Sequence, residues 1–390
     1  MNKINIAALT EYGLEKTTAK EVKEFFDVKS EISNAYVVFT INNTKENLEK
    51  LFKFSVLAQS IKKIILLVDH FDYKNDKDLK EKIKLAVAKK EFGYWFEDKP
   101  KFYVRCLHRN KNIDPREYEP MFGEIILNKY KDLKVSFDNS DIKVVTFLDE
   151  NKALFGIDMT RNDLSKREYK LSNSNKSIRG ILAYHLIRAV DYKNGEILVD
   201  PSSKTAEVVI EAQLYLSKMN NYYEAVFQCK KLKLFKDLDL SEIQNKLKTK
   251  AKKNLKSLKK NVFAYSDLLK DVNYGKANAK VAGVLDIIEF SKVTLDWLDT
   301  KFDKEKVDKI VTILPSESKV TSFNMVKKIY SEFLYQVDYI LKPTGKIGIL
   351  MQKPEKLIEL MNQKHKALKV QSSEEIIIGG LILYCVIITK

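Results

Sequence analysis

The run from Glu196 to Ala212, EILVDPSSKTAEVVIEA, decides the fold. Ile197, Leu198 and Val199 make a short apolar run that Asp200 and Pro201 end, and Val208, Val209, Ile210 and Ala212 then open a helical pattern. Strand, tight turn and helix form the opening unit of a doubly wound α/β fold. Its first turn sets a ligand against the helix N-terminus and uses glycine to bring bare backbone to it. Here the turn from Ser202 to Ala206 has no glycine.

The chain around this unit keeps alternating. Upstream, SNSNKS at 172–177 reads as a polar linker, and IRGILAYHLIRAV as a helix turning Ile181, Leu182, His185, Leu186 and Val190 to a core, with His185 a packed residue. Downstream, residues 246–260 carry eight lysines and no acid. Leu247, Ala251, Leu255 and Leu258 recur there at helical spacing, so one face docks and the other presents lysine to solvent or to a polyanion. Val262 and Phe263 read as strand, and a helix and a further strand flank Pro343, Thr344 and Gly345. The last apolar run, IIIGGLILYCVII, is short for a bilayer and is broken by Gly379 and Gly380, which read as a hairpin turn.

At 390 residues two or three domains are expected, and 45% hydrophobic with 31% charged residues is a globular composition. A formal charge of +16 makes a polyanion the default partner, although a genome biased toward Lys, Ile and Asn would give the same excess. Seven of the 69 basic residues are arginine: Arg105, Arg109, Arg116, Arg161, Arg167, Arg179 and Arg188. Their planar fork suits phosphate, so their confinement to one segment marks it. Three scattered cysteines argue against a disulfide framework, and dispersed histidines leave Cys106 and His108 without a second ligand pair, so no metal is expected. The N-terminus lacks a signal-length apolar stretch; a cytoplasmic, soluble protein with no membrane role is expected.

Residues 1–67 alternate strands (INIAAL, AYVVFTI, SIKKIILLVDHF) with helices (LEKTTAKEVKEFF, KENLEKLFKF), a ferredoxin-like pattern. A lysine-rich helix follows, then the strand KFYVRCLHRN, the helix DPREYEPMFGEIILNKY, two strands joined at Asp149, Glu150 and Asn151, and NDLSKREYKL.

These motifs resemble the THUMP-domain RNA methyltransferases that use S-adenosylmethionine, in particular the archaeal tRNA guanine-N2 methyltransferases. Phe102, Val104 and Arg109 match the THUMP pattern F-x-V-x-x-x-R loosely, and Leu164, Lys166, Arg167 and Tyr169 match L-x-K-R-x-Y. In the family's D-P-F/M-x-G-S-G-T-x-x-I-E-A run, Asp200, Pro201, Ile210, Glu211 and Ala212 match, while Lys204 and Ala206 replace the two glycines. Asp267 takes the acidic place that bonds the ribose hydroxyls, Asn278, Ala279, Ala282, Gly283 and Val284 match N-A-x-x-A-G-V, and Thr294 replaces the next acid. The catalytic N-P-P-F/Y falls on Ile313, Leu314, Pro315 and Ser316, which offer neither an acceptor for the guanine amine nor a ring to stack on it.

The resemblance implies a mixed α/β and α+β chain: an N-terminal ferredoxin-like region (1–67), a THUMP RNA-binding domain (68–171), a linker (172–180) and a Rossmann-like methyltransferase domain with degenerate motifs (181–390). It implies tRNA or another structured RNA as partner, contacted by Arg105, Arg109, Arg116, Arg161, Lys166, Arg167 and Tyr169. Asp200, Glu211 and Asp267 are what would remain of the S-adenosylmethionine site. The expectation is a pseudoenzyme without cofactor or catalytic residues, serving tRNA processing as RNA-binding subunit or scaffold beside an active methyltransferase. The alternative is an active S-adenosylmethionine-dependent tRNA (guanine-N2) methyltransferase with divergent motifs. A third reading is a protein-interaction module without an RNA role.

Overall fold

Alternating apolar residues in the first half of the chain produce one seven-stranded sheet, and the run that opens at Glu196 produces a second. This computed structural model describes residues 2–109, 113–160, 162–172, 174, 177–219, 229–317 and 322–390. The chain divides into two units. The first comprises Met1–Thr10, Thr18–Leu164 and Tyr222–Gln244, the second Glu11–Thr17, Ser165–Asn221 and Asn245–Lys390.

In the first unit the strands are β1 (Lys3–Leu9), β2 (Ser30–Ser33), β3 (Tyr36–Asn42), β4 (Lys63–Asp72), β5 (Phe102–His108), β6 (Ile142–Asp149) and β7 (Lys152–Asp158). They lie in the order β2-β3-β1-β4-β7-β6-β5, so strands from residues 1–67 and from 68–171 share one sheet. β5 and β6 run parallel and the other pairs antiparallel. Most of helix α1 (Glu15–Phe26) and helices α2 (Lys45–Leu57), α3 (Asp76–Ala88), α4 (Lys90–Tyr94) and α5 (Pro115–Lys129) connect them. Their starts follow capping chemistry: Thr44, Asn75 and Asp114 each accept a backbone N–H of the first turn. The sequence SEIS of β2 shows no apolar run, and it pairs with β3 as an edge strand with exposed side chains.

Buried carboxylates hold this unit together. Asp158 lies 2.8 Å from Lys63 Nζ and 3.2 Å from Lys143 Nζ and accepts the Thr160 N–H, so its desolvation is offset by two cations and a hydrogen bond.

The second unit contains α6 (Gly180–Ala189), β8 (Leu198–Asp200), α7 (Glu207–Ser217), most of α8 (Leu240–Ser257), β9 (Val262–Ser266), α9 (Leu269–Ala282), β10 (Glu289–Lys292), β11 (Val307–Ile313), α10 (Phe323–Ile340), β12 (Leu341–Met351), α11 (Glu355–Lys364), β13 (Lys369–Ile378) and β14 (Leu381–Thr389). The sheet order is β10-β9-β8-β11-β12-β14-β13, parallel through β12 and antiparallel at β14 and β13. Gly379 and Gly380, at φ 58° and 81°, make the two-residue hairpin turn that needs positive φ at both positions. One core gathers α6, α7 and α9 residues such as Leu186, Val209 and Ala279; another gathers Phe333, Val337 and Leu357 from α10 and α11. The three-residue β8 is fully buried, and the strand order reverses between it and β11, the place where open α/β sheets bind ligands. α8 buries Ala251 and exposes most of its lysines, as its spacing predicts.

Candidate functional site

The turn after β8 is braced by its own side chains where glycine would leave bare backbone. Asp200 ends β8 only 3% exposed, and its Oδ1 accepts the Thr312 hydroxyl at 2.9 Å and the Ser202 N–H at 3.3 Å. Burial pushes its carboxyl up to about 7, against the lowering effect of the Thr312 bond. The Ser203 N–H reaches the Tyr265 carbonyl at 2.8 Å, and the Thr205 carbonyl accepts the Asn278 amide at 3.1 Å. Ala206 caps α7 at φ 67°, a left-handed conformation that costs a residue with a Cβ about 1 kcal/mol. Space for that Cβ comes from α9, where Gly275 has none: a Cβ there would sit 3.1 Å from that of Ala206.

Lys204 turns to the ends of β9 and α9. Its Nζ lies 3.2 Å from Asp267 Oδ1 and 3.2 Å from Asp271 Oδ2, and its side chain is 14% exposed. Burial works to raise the Asp267 carboxyl, but the charge and hydrogen bond of Lys204 hold it below its ordinary value. Sequence reasoning named Asp267 and missed Asp271, although the two acids four residues apart at a helix start carried the signal.

At the end of β11 the four positions are tied into the fold. Ile313 is half-buried, and the Leu314 N–H donates to the Leu350 carbonyl at 3.2 Å. The Tyr330 hydroxyl donates to the Pro315 carbonyl at 2.7 Å. Ser316 Oγ accepts the N–H groups of Gln352 and Lys353 at 3.2 and 3.3 Å.

Three assignments are corrected. Arg167 and Tyr169, expected at RNA, are buried and bound to Glu211: Arg167 Nε and Nη2 donate to its two oxygens at 2.8 and 2.9 Å, and the Tyr169 hydroxyl donates at 2.7 Å. Glu211, expected at the cofactor, therefore has both oxygens engaged inside the protein. A matching motif cannot show by itself whether its charges face solvent or each other. Gly180 makes the pair fit, since a Cβ there would come within 2.4 Å of Arg167 Nε and 2.7 Å of Glu211 Oε1.

The remaining basic candidates that are described lie at or near the surface. Arg105 pairs with Glu119 at 3.4 Å with 53% of its side chain exposed, Arg109 pairs with Asp149 at 3.4 Å, and Arg116 pairs with Asp114 at 2.7 Å while 89% exposed. Lys166 is exposed, and Arg161 lies outside the described residues. His185 is packed in α6, with Nδ1 2.8 Å from the Thr17 hydroxyl and burial pushing its pKa down to about 4. Among the described residues no group of three or more His, Cys, Asp or Glu is placed to hold a metal, and no helix is long and apolar enough to cross a membrane.

The family described as RMKL-like, methyltransferase domain, matches residues 167–382, more than half of the chain. This chain belongs to the RMKL-like methyltransferase family. The THUMP domain matches residues 73–158 of this RMKL-like chain. It is 26% identical over 382 residues to the tRNA (guanine(6)-N2)-methyltransferase of Methanocaldococcus jannaschii, spanning 95% of each. Among solved structures it resembles a possible methylase from Clostridium difficile 630, with a TM-score of 0.80 over 99% of this chain and 98% of that one at 19% identity. It also resembles a protein described as a methyltransferase and solved complexed with SAH, with a TM-score of 0.78 over 99% and 98% of the two chains at 16% identity.

S-adenosylmethionine is the cofactor that the family implies, and the residues present do not fit it in the arrangement described. The acid expected at its ribose already bonds Lys204, the turn carries side chains in place of glycine, and Glu211 is spent on Arg167.

Proposed function

We propose that this RMKL-like protein binds tRNA, or an RNA folded like it, and works in tRNA modification. The observation that supports this is the archaeal tRNA methyltransferase relative, matched over 95% of both chains so that the THUMP and methyltransferase halves are shared together. That relative's name favours an S-adenosylmethionine-dependent tRNA (guanine-N2) methyltransferase with divergent motifs over a catalytically silent scaffold. Arg105, Arg109, Arg116 and Lys166 are the RNA contacts in this proposal, since their charges reach the surface.

A second reading, an RNA-binding subunit serving an active methyltransferase, is favoured by one specific observation. Ile313 stands where the family mechanism needs a hydrogen-bond acceptor, and its sec-butyl side chain accepts nothing. The test is filter binding of unmodified tRNA together with transfer of labelled methyl from S-adenosylmethionine to it. Binding with transfer gives the first reading, and binding without transfer the second. No binding above that of a scrambled RNA removes both.

A further inference from the structure

We propose that Lys204 is a built-in occupant of the ligand crevice: its ammonium, clasped by Asp267 and Asp271, closes the carboxyl ends of β8 and β9 to a nucleoside-type ligand until the clasp is undone. The inference rests on the reading of this crevice as an S-adenosylmethionine-type site and concerns its regulation; it does not depend on RNA binding.

The argument starts from position. Open parallel sheets bind ligands beyond the carboxyl ends of the strands beside the point where strand order reverses, and β8 is that point. Lys204 sits on the turn leaving β8, Asp267 is the first residue past β9, and Asp271 lies in the first turn of α9. The ammonium meets both acids at 3.2 Å. Lysine heads seldom leave water, yet this side chain is only 14% exposed, so the crevice holds it as it would hold a bound cation.

Chemistry gives the clasp a direction. Asp267 keeps 58% of its side chain exposed to hydroxyl donors, while Asp271 is 8% exposed and, among the described residues, accepts the Ser266 hydroxyl at 3.2 Å beside Lys204. A ligand bearing ribose hydroxyls would compete with Lys204 for Asp267, and the flexible four-carbon stem lets the lysine withdraw where a branched side chain could not. Glycine at 204 would leave the acids free; lysine there supplies an internal competitor.

Calorimetric titration of the full chain with S-adenosylhomocysteine tests the inference. The Lys204→Ala variant is expected to bind at least tenfold tighter than the wild type. Lys204→Ala/Asp271→Asn should keep that gain without an unpaired buried carboxylate, which guards against a folding defect in the single variant. Lys204→Ala/Asp267→Asn should lose it. Equal affinity in wild type and both gain variants would overturn the inference, as would tighter binding by the wild type, which would make Lys204 a ligand contact. Filter binding of tRNA to the same proteins keeps two failures apart: loss there removes the proposed function, whereas an absent gain in S-adenosylhomocysteine binding removes only the clasp.

Discussion

Asp200 is the residue whose protonation couples the turn to stability. Its carboxyl is buried at about 7 against an ordinary 3.8, so between those values the folded chain keeps a proton that the unfolded chain has lost. Stability from this group is therefore greatest below about pH 4 and falls as pH rises through 7, by at most about 4 kcal/mol. Asp200→Asn keeps an acceptor for Thr312 and removes the titration. Urea denaturation from pH 4 to 8 should show a flatter profile in the variant and higher stability at pH 8, and identical slopes would contradict the assignment. Arg167 gives a second residue-scale test: Arg167→Ala takes the guanidinium from the buried Glu211 carboxylate and is expected to cost about 3–5 kcal/mol, whereas exposed Arg105→Ala should change stability by about 0.5 kcal/mol or less. Equal midpoints in denaturant would show that the pair is not the support described. The sequence carried both members of this pair in motifs, yet motif matching assigned them to two different ligands, because burial is a property of the folded neighbourhood.

At the scale of elements, α7 and α9 are packed through a substitution of one small residue for another. Ala206 stands where glycine is expected, and Gly275 on α9 accepts its Cβ, with Phe290 closing the same gap. Gly275→Ala would place a Cβ 3.1 Å from Ala206 Cβ and 2.9 Å from Phe290, so the helix must shift, and a loss of about 1–3 kcal/mol is expected by thermal or urea unfolding. A variant as stable as the wild type, as helix propensity alone would favour, would show that α9 does not press on the turn. Elements with strong periodicity were legible beforehand: β1, α2, β4, α5, α8 and the Gly379-Gly380 hairpin fall where apolar spacing and turn residues put them. β2 was not, since SEIS owes its extended form to pairing with β3 and not to its own side chains. The site was half legible for the same reason. The strand, turn and helix pattern drew Asp200 and Lys204 together and the family resemblance pointed to Asp267, while the Lys204 to Asp271 contact and the Thr312 bond to Asp200 join residues whose proximity only the sheet order creates.

For the whole molecule, a formal charge of +16 is spread over a lysine-rich surface, so charge alone cannot distinguish specific RNA contact from general attraction to polyanions. Salt dependence can. Each phosphate contact adds roughly 0.7–0.9 to the slope of log affinity against log salt. Replacing Arg105, Arg109, Arg116 and Lys166 together by alanine is expected to flatten that slope for tRNA by up to about 3 and to weaken binding most at low salt. Each of the three arginines already pairs with a carboxylate, so part of its charge is spent within the protein and the loss should fall short of the sum of four free contacts. A control with four exposed lysines of α8 replaced, Lys250, Lys252, Lys253 and Lys256, separates the four candidates from background charge. If the lysine variant flattens the slope as much as the arginine variant, RNA is held by diffuse charge. A steeper dependence on the arginine set places RNA on those residues, where the planar forks can grip phosphate in a way that point charges do not.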